Sequence, residues 1–333
     1  MTIKDIARLS GYGIGTVSRV LNNHSDVSDK AREKIMKVIE ESNFQPNTNA
    51  RHLKRQSASS LAIIVKGNQN MLFADILEKM QMLLSKNGEN AEVSYIDEDA
   101  NEVECAFALC RDRNPKGIIF LGGNLDYFDA FDGIEVPCVL LTNSAGSLNI
   151  SNLSSFYTDD EEASYQLGSY LIKNGHKKIG VIGGTLSATQ ISSSRYAGCL
   201  RSFEENGIDF DEEKGYVPCR FSMEDGYQAA KKLLEQVSDV TAIIALSDTI
   251  AVGVMRAICD VGKKVPDDIS VVGFDGISLS NYCIPRLTTI RQDTDRMATE
   301  GVELMLRQIH YPGDGKDYFI PFQLLERESV REI

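Results

Sequence analysis

The sequence has no run of eighteen apolar residues, and it begins with a polar, charged segment rather than a basic stretch followed by an apolar one. The first absence argues against a transmembrane helix, and the second argues against a secretory signal peptide. Because 42% of the 333 residues are apolar, the chain can fill two or three hydrophobic cores. We therefore expect a multidomain globular protein of the cytoplasm.

Catalytic and metal-binding motifs are also missing. We find no phosphate-binding G-x-x-x-x-G-K-[ST], no G-x-S-x-G nucleophile turn, no H-E-x-x-H and no cluster with metal-ligand spacing. The seven cysteines are scattered without a C-x-x-C pair, as expected for reduced thiols packed like small apolar residues. The sequence therefore predicts no enzyme activity, no cofactor and no metal.

Charge is distributed unevenly along the chain. The formal net charge is −13, but residues 1–57 carry +4 and the remainder carries −17. A basic head on an acidic body indicates that a polyanion binds at one end only.

Residues 2–22 predict two short helices joined by a glycine turn, and a third amphipathic helix follows from Ser28. Gly11 permits the sharp turn, Tyr12 is expected to face the core, and Gly13 holds the N-cap position of the second helix. A bundle this small commonly places its second helix in the major groove of DNA. The pattern predicts a helix-turn-helix domain over residues 1–45.

Residues at the start of that second helix would face base edges. Arg19 is the strongest candidate, because a bidentate arginine–guanine pair discriminates between bases by roughly 1–3 kcal/mol. The alternative is that Arg19 only solvates a helix face. The candidates for DNA contact in the head are Thr2, Ile14, Gly15, Thr16, Ser18, Arg19 and Asn22.

Residues 46–60 read as a linker that holds one extra helical turn. Because a helix this short is marginal in water, we expect it to fold only against DNA and a second copy of the chain. Leu53, flanked by cations, fits a side chain wedged between base steps of the minor groove. A flexible basic tether is the alternative. The linker candidates for DNA contact are Asn47, Ala50, Arg51, Leu53 and Lys54.

From residue 61 the pattern changes to continuous apolar runs separated by amphipathic helices, which is typical of parallel sheets covered on both faces. Two such series predict an α/β body with two similar lobes, the first spanning about 61–158 plus 289–318 and the second about 159–288 plus 319–333. Ligands of such sheets bind beyond the carboxyl ends of the strands, so a cleft between the lobes is the expected site. The predicted strands are 61–65, 93–96, 117–121, 136–141, 179–183, 241–246 and 269–273.

Segments along the whole chain, in consistent order and spacing, resemble the lactose/galactose-repressor (LacI/GalR) family of bacterial transcription regulators. They are IKDIARLSG, TVSRVLN, FQPNTNARHL, YLIKNGHKKIGVIGG, SRYAGCLRSFEENGI, SDTIAVG, VPDDISVVGFDG and PRLTTIRQD. The resemblance implies a periplasmic-binding-protein-like body and a homodimer that binds a near-palindromic operator, with Leu53 as the minor-groove lever. Since Gly15 has no side chain to read a base, readout should depend more on Thr16, Arg19 and the linker.

The resemblance also implies a small-molecule effector, a sugar or related metabolite, bound between the lobes. Arg195 looks like the family's effector-gripping arginine and Asp275 like its acidic counterpart, a pair suited to a polyol. Phe221 lies where some sugar-binding members carry a stacking aromatic. The effector candidates are Phe73, Asp159, Arg195, Phe221, Ser247, Asp248, Asp275 and Gln292.

Several of these residues have an alternative structural role. Asp248 fits a helix N-cap, Asp275 fits a turn-stabilising residue, and Phe221 fits plain core packing. His176, after the glycine that ends a helix, is expected to be structural.

The function predicted is that of an effector-controlled repressor. The alternatives are a solute-binding protein of an uptake system, which needs an export signal and no DNA-binding head, and an enzyme with an appended regulatory head. Because no leucine heptads follow Glu328, we expect a dimer rather than a tetramer.

Overall fold

The computed structural model describes residues 3–21, 27–42, 60–186 and 191–333. The chain divides into two compact units, Met1–Ala58 and Ser59–Ile333. Each unit is described by itself below.

The first unit contains the three predicted helices: α1 (Ile3–Ser10), α2 (Ile14–Leu21) and α3 (Asp29–Glu41). Each helix contributes apolar side chains to one small core, where Ile6, Val17 and Ile35 are fully buried. Gly11 adopts a φ of 75°, which glycine tolerates best, and Tyr12 packs half-buried against the core. The Gly13 carbonyl accepts the amides of Thr16 and Val17, as expected of the N-cap residue of α2.

The second unit holds two six-stranded sheets, one in each lobe. In the first lobe all neighbouring strands are parallel, in the order β11-β5-β4-β3-β1-β2. Its elements are β1 (Leu61–Lys66), α4 (Met71–Lys86), β2 (Ala91–Ile96), α5 (Glu102–Arg113), β3 (Ile118–Leu121), a 3-10 turn (Leu125–Ala130), β4 (Cys138–Leu141), β5 (Leu153–Tyr157), α11 (Thr294–His310) and β11 (Asp317–Phe319).

The second sheet has the order β12-β10-β9-β8-β6-β7, with β12 antiparallel to β10 and the other pairs parallel. Its elements are α6 (Asp160–Lys173), β6 (Ile179–Gly183), α7 (Ile191–Glu205), α8 (Glu212–Gly215), β7 (Tyr216–Pro218), α9 (Met223–Gln236), β8 (Ala242–Ala245), α10 (Asp248–Asp260), β9 (Ser270–Asp275), a 3-10 turn (Ser278–Asn281), β10 (Thr288–Gln292) and β12 (Phe322–Leu325).

Helices cover both faces of each sheet, which explains the continuous apolar runs. In β1, Ile63 packs with α4 and α11, whereas Ile64 on the opposite face packs with α5 and Phe120. Close packing of α6 on α7 depends on Gly198, where a Cβ would lie 2.0 Å from the Glu161 carbonyl oxygen. Each lobe therefore has a core on either side of its sheet.

One predicted boundary between the lobes is wrong. The sequence predicts that about residues 289–318 lie in the first lobe, but Thr288–Gln292 forms β10, which is paired between β9 and β12 of the second sheet. The chain crosses to the first lobe only after Gln292, and it returns between Phe319 and Phe322. Ile290 of β10 is fully buried in the second-lobe core that also contains Val272 and Phe274.

None of the described helices combines the length and the apolar character needed to cross a membrane. Within residues 3–21, 27–42, 60–186 and 191–333, no group of three or more His, Cys, Asp or Glu side chains is arranged to hold a metal ion. All seven cysteines are free thiols.

Candidate functional site

A cavity of about 340 Å³ lies between the two lobes, within the usual size range of small-molecule sites. It opens at the carboxyl ends of strands from both sheets, where Lys66 ends β1, Gly122 follows β3, Gly184 follows β6 and Asp275 ends β9. This position matches the general rule for ligand sites in parallel α/β sheets. Of the effector candidates, Phe73, Arg195, Phe221 and Asp275 line the cavity.

Arg195 is the centre of the second-lobe wall. It lies in the second turn of α7, is only 4% exposed, and stacks its guanidinium 3.7 Å from the centre of the Phe274 ring. Its Nε donates to Asp160 Oδ1 at 2.7 Å, and its Nη2 lies 3.3 Å from Asp275 Oδ1. Three of its five N–H groups thus face Asp160, Asp275 and, at 2.5 Å, the Leu246 carbonyl, so the fork is held rigidly at the cavity wall.

Asp275 faces both Arg195 and Gln292, whose Nε2 donates to Asp275 Oδ1 at 2.9 Å. Burial raises the pKa of the Asp275 carboxyl above its usual value, and Arg195 opposes that rise. The backbone at Asp275 has a φ of 110°, a conformation that residues other than glycine rarely adopt and that is often found at functional sites. Gln292 does not line the cavity but orients the carboxylate that does.

Ser247 and Asp248 lie behind the wall. Ser247 Oγ caps α10 by accepting the Thr249 amide at 3.1 Å. Asp248 is fully buried, where it accepts the Ile277 amide at 2.8 Å and the Thr289 hydroxyl at 2.6 Å. Burial raises the pKa of Asp248 well above its usual value. Neither residue lines the cavity, so their contacts support the loop that carries Asp275.

The structure gives different positions to Asp159, which the sequence analysis names as an effector candidate, and to its neighbour Asp160, which it does not. Asp159, the effector candidate, is exposed and caps α6 by accepting the Glu162 amide at 3.0 Å. The next residue, Asp160, is 5% exposed and bonds to Arg195. The pKa of Asp160 is raised to about 6, because the effect of burial exceeds the opposing effect of the nearby Arg195. Asp160 therefore occupies the place expected of Asp159, although as a partner of Arg195 rather than as a lining residue.

Two aromatic side chains lie over glycines at strand ends. A Cβ on Gly122 would lie 2.7 Å from Phe73 Cζ, and a Cβ on Gly184 would lie 2.9 Å from Phe221 Cε2. Because glycine has no side chain, Gly122 and Gly184 each leave room for one aromatic ring at the cavity. Phe221 is half-buried and also packs against the second-lobe core that contains Ile250 and Leu287, so both of its expected roles are compatible with its position.

Lys66 and Glu102, which the sequence analysis did not single out, form a buried ion pair in the first-lobe wall. Their side chains are 11% and 0% exposed. Lys66 Nζ also donates to the Ala100 carbonyl at 2.8 Å, while Glu102 accepts the Asn124 amide. The pair joins the end of β1 to the start of α5 and to the loop after β3.

Arg220 was also missed, and it connects the lobes. It follows β7 in the second lobe, and its guanidinium contacts three acids that follow β2 in the first lobe. Arg220 Nη2 is paired with Asp97, Nε lies 3.1 Å from Glu98, and Nη2 lies 3.4 Å from Asp99. Its sequence separation from Asp97 is 123 residues, so no local pattern could have predicted the contact.

In the head, most residues at the start of α2 are exposed. Ile14 is 46% exposed although apolar, Gly15 and Arg19 are exposed, and Thr16 is half-buried. Beside Gly15, a Cβ would meet nothing within 4 Å, so the surface there is open. The Ser18 side chain and the candidates Thr2, Asn22, Asn47, Ala50, Arg51, Leu53 and Lys54 lie outside the described part of the chain.

His176 is fully buried, as expected of a structural residue. Its Nδ1 lies 3.0 Å from the Thr241 hydroxyl and its Nε2 lies 3.1 Å from the Arg331 carbonyl. These contacts attach the chain terminus to the second lobe.

Comparison with known proteins gives consistent matches to both units. A family model described as "Bacterial regulatory proteins, lacI family" matches residues 2–47, and one described as a periplasmic binding protein-like domain matches residues 169–330. The HTH-type transcriptional regulator MalR of Clostridium butyricum is 36% identical over 337 residues and covers the whole of both chains.

Two solved structures cover 99% of this chain and 99% of their own. The Lac repressor dimer bound to operator and the anti-inducer ONPF superposes with a TM-score of 0.72 at 26% identity. The complex of the transcriptional regulator CelR with cellobiose superposes with a TM-score of 0.70 at 25% identity.

Proposed function

The chain belongs to the lacI family of bacterial regulatory proteins, and we propose that it is a cytoplasmic, homodimeric transcriptional repressor whose operator affinity is set by a small-molecule effector, a sugar or related metabolite. The observation that carries the proposal is the rigid Arg195–Asp275 pair at the wall of an interlobe cavity, in a chain whose separate head exposes the start of α2. The likeness to a Lac repressor dimer on its operator and to a cellobiose complex supports the two binding activities.

Effector control requires the ligand to prefer one arrangement of the lobes. A shift from 1:99 to 99:1 between two states needs about a 10⁴-fold preference, or about 5.5 kcal/mol. A ligand that contacts both lobes prefers the closed cleft, because its contacts form fully only there. We propose that closure rotates the paired first lobes of the dimer and changes the spacing of the two linkers and heads.

The function is tested by combining two measurements on the full chain. A thermal-shift screen with neutral sugars, sugar phosphates, sugar acids, nucleosides and bases identifies effectors, since a ligand at 100 times its Kd adds about 2.7 kcal/mol of stability. Fluorescence anisotropy on duplexes selected from a random pool then measures DNA affinity with and without each hit. A hit that leaves DNA affinity unchanged would contradict effector control.

Arg19→Ala should weaken binding to the selected operator by about 1–3 kcal/mol and relax the preference at one base pair per half-site. The matched control is Arg8→Ala, because Arg8 is an exposed arginine on α1, paired with Asp5. Arg8→Ala should leave base preference unaltered. Equal base preferences in the Arg19→Ala variant and the parent would assign Arg19 to solvent or phosphate instead.

Leu53→Ala should remove the minor-groove protection at the operator centre while leaving effector binding intact, because the wedge would no longer part the base steps. Footprinting measures the first property and thermal shift the second. Unchanged central protection would eliminate Leu53 as the lever and favour a flexible tether.

A solute-binding protein of an uptake system is the alternative. It would share the two-lobed body but have no use for a lacI-type head, which residues 2–47 match. The absence of enzyme activity is part of the proposal, supported by relatives that are named as regulators.

A further inference from the structure

The cavity between the lobes is lined by more acids than bases. Among its described lining residues, three are cationic and five are acidic, and residues 187–190, outside the description, carry no charged side chain. We infer that the cleft takes an uncharged polyhydroxylated ligand, a neutral sugar, and rejects ligands that carry a phosphate or carboxylate group. The inference rests on the proposed function, since it specifies the chemistry of the effector at the same site.

Two of the three lining cations are neutralised by buried partners. Lys66 is paired with Glu102, which is completely buried, and donates a further bond to the Ala100 carbonyl. Arg195 lies between Asp160 and Asp275, both at most 5% exposed. Two carboxylates around one guanidinium leave this wall with a formal negative charge, so an anion here would meet repulsion at low dielectric.

Arg220, the third cation, forms its ion pairs with acids of the opposite lobe. It is surrounded by Asp97, Glu98 and Asp99, which also line the cavity. To bind an anionic ligand, Arg220 would have to leave these acids, and the ligand would then lie beside them. Asp225, a further lining acid, is bonded to the Ser222 hydroxyl. Like charges placed side by side are an effective means of rejecting the wrong ligand.

Hydroxyl groups suit the same walls. A carboxylate only accepts hydrogen bonds and a guanidinium only donates them, while a hydroxyl does both. Sugar hydroxyls can therefore donate to Asp275 and accept from the Arg195 N–H groups that do not face Asp160, Asp275 or Leu246. Phe73 and Phe221 add an apolar surface from each lobe for the ring carbons.

The test uses matched probes on the full chain. Thermal shift and isothermal titration calorimetry compare glucose with glucose 6-phosphate and glucuronate, ribose with ribose 5-phosphate, galactose with galacturonate, and cellobiose with cellobionate. For at least one family of probes the neutral member should raise Tm by about 5 °C near 100-fold saturation, while its anionic members bind at least tenfold more weakly.

A charge-neutralised variant tests whether the acids around Arg220 cause the rejection of anionic ligands. Asp97→Asn combined with Glu98→Gln removes two of the three acids around Arg220, and it should improve the affinity for the anionic probe relative to its neutral match by tenfold or more. The control, Glu104→Gln with Asp112→Asn, changes net charge equally on exposed positions of α5 and should leave that ratio unchanged.

An anionic probe that binds the unmodified chain more tightly than its neutral match would overturn the inference but leave effector control intact. An unaltered affinity ratio in the Asp97→Asn/Glu98→Gln variant would also contradict it. A panel in which no probe binds would contradict the proposed effector site together with this inference.

Discussion

Arg195→Met is expected to destabilise the second unit by about 3–5 kcal/mol at pH 7 and to abolish the effector response, while the head still binds DNA. The substitution leaves Asp160 and Asp275 buried without their cation, and it removes the fork that faces the cavity. Urea denaturation followed by circular dichroism measures the stability, and anisotropy with the screened effector measures the response.

A matched control lies on the same helix. Arg201 also contacts two acids, Glu161 and Glu162, but its side chain is 36% exposed. Because water screens such pairs, Arg201→Met should change stability far less than Arg195→Met. Equal losses in the two variants would mean that burial of the Arg195 cluster has no energetic importance, and a preserved response in Arg195→Met would place the effector elsewhere.

The pH dependence of the Arg195→Met variant gives an independent check. Burial raises the pKa of Asp160 to about 6 and Arg195 opposes that rise, so removing Arg195 should raise the pKa further. An acid whose pKa is higher in the folded than in the unfolded chain destabilises the fold when it is ionised. This penalty is full above the folded-state pKa and decreases as the pH falls towards the unfolded-state pKa. The stability deficit of the variant should therefore be smaller at pH 5 than at pH 7.

The sequence allowed the α/β body and the head to be predicted because their patterns are local. The apolar runs at β1, β3 and β9 and the three helices of the head fall within one or two residues of the observed elements. The strands that were not predicted are β5, β7, β10, β11 and β12. Strands β7 and β11 have only three residues each, whereas β5 and β10 are longer but carry serine, threonine or arginine in place of a continuous apolar run. Short edge strands have no apolar run from which to recognise them.

A site residue could be predicted only where a recognisable segment holds a single candidate for the role. Arg195 lies within the segment SRYAGCLRSFEENGI and Asp275 within VPDDISVVGFDG, and both residues line the cavity. Asp159 and Asp160 are adjacent, and the choice between them depends on where α6 begins: the capping residue faces solvent and the next residue faces inward. The Arg220 contacts with the first lobe depend on how the two sheets face each other, which no local pattern encodes.

Lys66→Met should destabilise the second unit by about 3–5 kcal/mol, because it leaves the fully buried carboxylate of Glu102 without its cation. Glu102 also accepts the Asn124 backbone amide, but an amide does not replace an ammonium group. Because Lys66 and Asn124 both line the cavity, loss of the pair should also weaken effector binding. Urea denaturation and calorimetry measure the two effects.

Two controls distinguish the effect of the unpaired buried carboxylate on stability from the effect of removing a lysine side chain. Lys116→Met removes a lysine that lies 2.8 Å from Glu89 but is 32% exposed, so it should cost no more than about 1 kcal/mol. Lys66→Met combined with Glu102→Gln removes both charges and should recover most of the stability lost in the single variant, because the penalty comes from the unpaired carboxylate. A double variant no more stable than Lys66→Met would show that packing around the lysine stem, rather than the buried charge, holds this wall of the cleft together.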